Sequence, residues 1–409
     1  MNRQRVVVTG SGIVSPLGND IDSFFKSLRI GYSGIGRLQA PFADDLDCTI
    51  AAQANFDPLA HFARNQAASL DRSSQFALVA AEQAVLQAGL PMETLQPGRC
   101  GVAMGTGMGG SGAMDEGYAR LYRDGSKRLK PFTVLMGMNN AAAAHVAMAY
   151  HFSGANLTYS TACSSSAVAI GEAMRLIRHG YADCMLAGGT EALLTYGTIR
   201  AWEALRTLAK EDEADPPASC KPFSANRSGL VLGEGAAMVV LESLEHATAR
   251  GATILAEIVG YGYGNDSEHL TQPSVSGQSQ AMASALADAA LAPEAIGYIN
   301  AHGTGTLLND RTETAAIKKI FGADTTIPVS STKSMHGHLM GAAGAVEFIA
   351  CVEALRHQCL PPTMHLRVPD PECDLDYVAN ASRPASFDCA MSNSFAFGGT
   401  SAVLIARRS

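Results

Sequence analysis

The chain has 409 residues, 47% of them hydrophobic and 17% charged, which provides for a large core and excludes a disordered chain. A formal charge of −8 argues against a nucleic-acid binder, and no apolar run reaches the roughly 18 residues needed to span a bilayer. Nine cysteines without a CxxC pair read as reduced thiols rather than a disulfide frame, so a soluble, cytoplasmic protein is expected.

After Met1-Asn2-Arg3-Gln4-Arg5 comes the apolar Val6–Val8, too short for a signal-peptide core and read as a first buried strand. Further short strands are expected at Gly101–Met104, Cys184–Ala187, Ala236–Leu241, Ile327–Ser330 and Val403–Ile405. Helix-like stretches separate them, which gives an α/β architecture with buried strands. Gly105-Thr-Gly-Met-Gly-Gly110 formally matches GxGxxG. No second strand ending in an acidic residue follows it, so dinucleotide binding is not expected.

The segment Leu157–Gly189 reads as strand, turn, helix and strand. Cys163 falls at the strand-to-helix turn, where free amides and the helix dipole favour a thiolate nucleophile. Local evidence alone leaves a buried structural cysteine as the alternative. Arg175, Arg178 and His179 suit the helix end, and Gly180 can stop it. Glu211–Pro217 reads as an exposed loop, and the helix-like Glu242–Thr253 as a seam between two halves, 1–250 and 251–409. His302-Gly-Thr-Gly-Thr306 follows a strand-like run, a setting for acid–base work or oxyanion stabilisation as well as for a hydrogen-bonded turn histidine. Lys333, His336 and His338 lie within six residues, ahead of a small-residue helix carrying Glu347. The His-x-His pair has no third ligand at a convincing spacing, so no metal is expected. Ser392–Ser401 mixes aromatics with glycines, as a mobile or close-packed loop would.

Thr161-Ala-Cys-Ser-Ser, His302-Gly-Thr-Gly-Thr and Lys333-Ser-Met-His-Gly-His-Leu-Met-Gly-Ala-Ala-Gly together resemble the signature of the β-ketoacyl-[acyl carrier protein] synthases, in particular the elongating Cys-His-His class. The resemblance runs from Val7-Val-Thr-Gly-Ser-Gly to Asn393-Ser-Phe-Ala-Phe-Gly-Gly-Thr400. It implies a thiolase-type fold, two similar α/β halves stacked in five layers (αβαβα). The nucleophile would sit in the first half and both catalytic histidines in the second. It implies that Cys163 accepts the acyl group and that His302 and His338 promote decarboxylation of malonyl-ACP. Lys333 and Glu347 would form an orienting ion pair, and the amides of Cys163 and Phe397 an oxyanion hole. Thr304 and Thr306 match phosphopantetheine contacts, Met108 and Trp202 chain-pocket positions. Lys127, Arg128 and Arg206 match basic positions that dock the acyl carrier protein. No cofactor is implied beyond the phosphopantetheine that the carrier brings. A homodimer is expected, with a heterodimer of related subunits as the alternative.

Several positions depart from the common pattern. His336 would add a third imidazole near the site, Ala396 replaces a hinge glycine in the gating loop, and Thr133 is small where an aromatic is common. Asn65, Ala68 and Ser69 fall where basic residues are frequent. These departures leave a specialised polyene, polyketide or lipid pathway open beside general fatty-acid synthesis. A thiolase would need a second cysteine near the C-terminus, and Cys389 stands in a different motif. An initiating synthase would carry asparagine in place of His338, and a non-catalytic subunit would lack Cys163.

Overall fold

A computed structural model describes residues 3–409. Five strands of its first half are β1 (Val6–Val14), β2 (Cys100–Gly105), β3 (Asn156–Tyr159), β4 (Cys184–Glu191) and β5 (Gly235–Ser243). Five of its second half are β6 (Ala256–Asn265), β7 (Tyr298–Asn300), β8 (Val329–Ser330), β9 (Cys389–Phe395) and β10 (Thr400–Arg407). Their spatial order is β3-β2-β4-β5-β1 and β8-β7-β9-β10-β6. Each half therefore runs third, second, fourth, fifth, first. Strand directions repeat as well: the first three in each row are parallel and the last two antiparallel to their neighbours.

The halves join where β1 pairs antiparallel with β6, over Val6–Val8 alone. Beyond Val8, β1 kinks at a register shift and continues on β5 only. The amides of Ser11 and Ile13 then donate to Gln87 at 2.7 Å and Gln83 at 2.9 Å, both on helix α1 (Arg72–Ala88). Those bonds need a close approach: a Cβ on Gly10 or Gly12 would lie 2.1 and 2.0 Å from carbonyls of α1. Strand β1 is thus longer than its apolar Val6–Val8 start, because its polar residues find partners inside the protein. Thr9 bonds Glu242 and Ser11 bonds Gln87.

Helices α1 and α2 (Ala141–Tyr150) cover the outer face of the first half. Helices α3 (Ser165–Arg178) and α6 (Ala343–His357) lie between the halves, and α4 (Val275–Ala289) with α5 (Leu307–Phe321) packs outside the second. Five layers result, αβαβα. In α6, 13 of 15 residues are buried, which only a helix enclosed from every side requires. Among the described residues, no helix is long and apolar enough to cross a membrane.

The segment Glu211–Pro217 departs from the exposed loop expected of it. Ion pairs of Glu211 with Arg37, Asp212 with Lys221 and Asp215 with Arg367 pin it down half-buried. The short helix Leu244–Ala249 leads out of β5 before the chain enters β6.

Candidate active site

Cys163 lies buried in a one-turn 3-10 helix, Ala162–Ser164, that runs directly into α3. The turn is sharp. Ala162 takes φ +51°, a left-handed conformation that costs a side-chain-bearing residue roughly 1–2 kcal/mol. Serines hold it: Ser165 Oγ donates to Ala162 O at 2.6 Å and accepts from Thr161 N at 2.9 Å. Gly105, at the end of β2, lets the start of α3 come close, since a Cβ there would meet Ser166 N at 2.2 Å.

The thiolate expected at this turn is not the resting state. Burial pushes the Cys163 thiol up to about 12, against the opposing pull of Lys333 and the Phe397 N–H. Loss of water is the largest influence on the thiol.

His302 follows β7, and the second half brings His338 to the same place. Cys163 Sγ and one ring nitrogen of each histidine all lie within 4.8 Å of one another. The imidazoles cross edge to face with centroids 5.4 Å apart. In each ring Nδ1 is already engaged. Met340 N donates to His338 Nδ1 at 3.0 Å, and Lys333 Nζ sits 3.3 Å from His302 Nδ1. An Nδ1 that accepts leaves the proton of a neutral ring on Nε2. Burial first, then Lys333, holds both histidines well below the ordinary imidazole range, so both are neutral. The arrangement can therefore present a nucleophilic sulfur beside two neutral N–H donors.

Lys333 is fully buried. Its ammonium also donates to His302 O at 2.6 Å and pairs with Glu347, which is itself fully buried. Burial raises Glu347 to about 7 despite that partner. Glu313 on α5 accepts from the backbone N–H groups of His302 and Gly303, each at 2.8 Å, and fixes the turn that carries the ring.

His336 does not join the site. Its Nε2 faces Thr332 Oγ1 at 2.9 Å, one helical turn back, and its Nδ1 faces Gly337 O, of the next residue, at 2.8 Å, so both nitrogens are taken. Burial pushes it down to about 3.

A cavity of about 260 Å³ opens onto Cys163, His302 and His338, with Thr304, Thr306, Phe397 and Arg206 also in its wall. The two threonine hydroxyls are 2.9 Å apart, and Arg206 is exposed at the mouth. Lys127 and Arg128 are exposed on a loop elsewhere and do not line this cavity. Trp202 stacks on Phe397 at 6.1 Å and belongs to the apolar cluster that contains Cys163. Met108 lies outside the cavity, 44% exposed, and Thr133 lines a separate small void. The left-handed turns of the gating loop fall on Gly398 and Gly399, so Ala396 is unstrained there.

Sequence reasoning missed Glu191 and Glu313, two buried carboxylates whose partners are main-chain amides. Glu191 takes the N–H groups of Gly107 and Met108, so those two amides of the GxGxxG-like loop are not free for a phosphate.

Family models for the β-ketoacyl synthase N-terminal and C-terminal domains match residues 3–247 and 255–367. The chain belongs to the β-ketoacyl synthase family. Nodulation protein E of Rhizobium leguminosarum bv. trifolii is 46% identical to this synthase over 406 residues, 99% of either chain. The 3-oxoacyl-[acyl-carrier-protein] synthase 2 of Coxiella burnetii is 42% identical over 412 residues, covering 100% of this chain and 99% of the relative. A solved type II polyketide ketosynthase, in complex with its acyl carrier protein, superposes with a TM-score of 0.91 at 33% identity and 100% coverage of both chains. The fold is thus the thiolase-type fold of the ketosynthases. The synthase is an acyltransferase that condenses acyl units on acyl carrier protein, in fatty-acid or polyketide synthesis.

Proposed function

We propose that the synthase is an elongating Cys-His-His enzyme, and one observation carries the reading: Cys163 faces two neutral imidazoles whose Nδ1 atoms are both occupied. Cys163 Sγ attacks the acyl-ACP thioester, the amides of Cys163 and Phe397 receive the oxyanion, and the carrier thiol leaves with the proton. Malonyl-ACP then enters. Its C–CO2 bond breaks, CO2 departs, and the electron pair becomes an enolate whose oxygen accepts from Nε2–H of His302 and His338. The enolate carbon attacks the acyl-Cys163 carbonyl and expels the thiolate, which takes up a proton from solvent to restore the thiol, giving 3-oxoacyl-ACP. Lys333 and Glu347 orient the histidines, while Thr304 and Thr306 receive the phosphopantetheine arm.

Cysteine and two histidines are also a zinc-like donor set. Against that stands the buried Lys333 ammonium 3.3 Å from His302, which opposes a second cation, so we infer no metal and no cofactor. Arg206, with Lys127 and Arg128, is read as the carrier-docking charge. A dimer is inferred through β3, an edge strand that carries exposed Leu157. An identical partner is favoured, with a related subunit as the other outcome of native mass measurement. The cytoplasm is the expected compartment for nine free thiols. Residues 1–250 and 251–409 are read as two equivalent domains, which the repeated strand order supports.

The chain preference is read as specialised, because Trp202 braces the Phe397 gate, Ala396 replaces a glycine and Thr133 is small. The deciding experiment incubates a panel of acyl-ACPs with malonyl-ACP and the synthase, and reads intact mass. Two-carbon extension with CO2 release is expected. Competition between saturated and polyunsaturated chains of equal length should show a modest preference for the latter, on the scale of about 1–3 kcal/mol. Preference for saturated chains would return the enzyme to general elongation. No extension of any chain would remove the condensing reading.

A further inference from the structure

Glu191 ends β4 fully buried, and its four partners are all donors. Oε2 accepts from Gly107 N at 2.6 Å and Gly341 N at 2.9 Å. Oε1 accepts from Met108 N at 3.0 Å and Thr106 Oγ1 at 3.2 Å. Only an ionised carboxylate satisfies four donors on two oxygens; an amide would turn its own N–H groups against main-chain N–H groups. The two loops it grips belong to opposite halves and touch over it. A Cβ on Gly341 would lie 2.4 Å from Gly107 N and 2.6 Å from Glu191 Oε2.

Gly341 directly follows Met340, the residue whose N–H occupies His338 Nδ1 at 3.0 Å. Met340 holds that position in a left-handed conformation, φ +46°, which a side-chain-bearing residue keeps only when its surroundings fix it. The bond from the next amide to Glu191 is such a fixture. Through it, a carboxylate of the first half sets which nitrogen of a second-half histidine carries the proton.

We propose that Glu191 is a positioning residue for His338, clamping the Met340–Gly341 turn so that His338 presents Nε2–H to the cavity. The same carboxylate anchors Thr106–Met108 in the first half, so the two halves are registered at the point where their chemistries meet. This rests on the reading that His338 serves decarboxylation.

The test is a double-mutant cycle on the full-length protein. CO2 release from malonyl-ACP is measured for wild type, Glu191→Gln, His338→Ala and the double variant, with melting temperature recorded for each. Glu191→Gln is expected to lower CO2 release about 10–100-fold, the scale of a small misplacement, while KM for malonyl-ACP changes less than about threefold. In the His338→Ala background it should add nothing. An equal loss in both backgrounds overturns the proposal, as does no loss in either. Thr106→Val, which removes one donor and keeps the carboxylate, covers the case in which Glu191→Gln does not fold. Its loss should be a few-fold and equally absent without His338; a loss that persists there overturns the proposal. The ¹⁵N shifts of His338 give a readout independent of turnover: Nε2–H in wild type, a mixture of tautomers in Glu191→Gln or Thr106→Val. An unchanged tautomer overturns the proposal. Wild type without CO2 release would sink the functional reading itself, while the tautomer shift would still report on Glu191.

Discussion

The half that carries the sulfur and the half that carries the imidazoles meet the same force with opposite results. Burial disfavours charge in both. It drives Cys163 up to about 12, away from the thiolate, and it drives His302 and His338 down, toward neutral N–H donors. On the proposed mechanism, one desolvated pocket thus opposes the first half-reaction and serves the second. The lesson is that a nucleophile's surroundings cannot be judged from its helix terminus alone. The Lys333 charge and the Phe397 N–H pull the thiol back only part of the way.

The comparison breaks first at the sulfur. Cys163→Ser should lower acyl transfer by at least about 10³-fold, and peptide mapping of the wild type should place the acyl group on Cys163 alone. Acyl groups on buried Cys184 or Cys220 in the variant would reassign the nucleophile. Next come the rings. His302→Ala and His338→Ala should each cut CO2 release by about 10²–10³-fold, the scale of a lost oxyanion donor, with a smaller effect on acylation of Cys163. Equal damage to both half-reactions would erase the division.

Acidity sharpens it. A thiol pushed up to about 12 is protonated from pH 6 to 9, so alkylation of Cys163 by iodoacetamide should rise about tenfold per pH unit without a plateau. Histidines held well below the ordinary range stay neutral throughout that interval, so CO2 release should stay nearly flat. A shallow bend near pH 7 would report Glu347, raised to about 7. An alkylation midpoint near pH 7 would instead mean a thiolate at rest. The smallest effect belongs to the mouth. Arg206→Glu should raise KM for acyl-ACP by up to about tenfold at low salt, fading as salt screens it, and leave a short acyl-pantetheine substrate almost untouched.

The three side chains that line up in the cavity were legible because Cys163, His302 and His338 sit in short runs of chain with distinctive neighbours. The carboxylates behind them were not. Glu191 and Glu313 bond to amides, and amides belong to every residue, so no side-chain pattern announces the contact. The indirect sign was glycine: a Cβ on Gly341 would meet the Gly107 amide, and one on Gly107 would meet the Glu191 carboxylate. His336 is near the site, as its spacing from His338 suggested, and helps to hold His338 down, but a short helical turn, Lys333–His336, aims its ring back at Thr332. The α/β class could be anticipated from alternating strands and helices and the two halves from the family resemblance, whereas the repeated order of five strands in each half exists only once the chain is folded.

Helix α6 has almost no face for water, and this governs how the molecule comes into being. A ribosome completes the whole first half, with the inner side of α3 bare, well before α6 is made. Until that last stretch arrives, the nascent protein carries an uncovered apolar layer of the kind that aggregates or recruits chaperones. Cutting the chain between its halves should therefore yield two insoluble fragments rather than two stable domains, and co-expressing them should restore solubility to both.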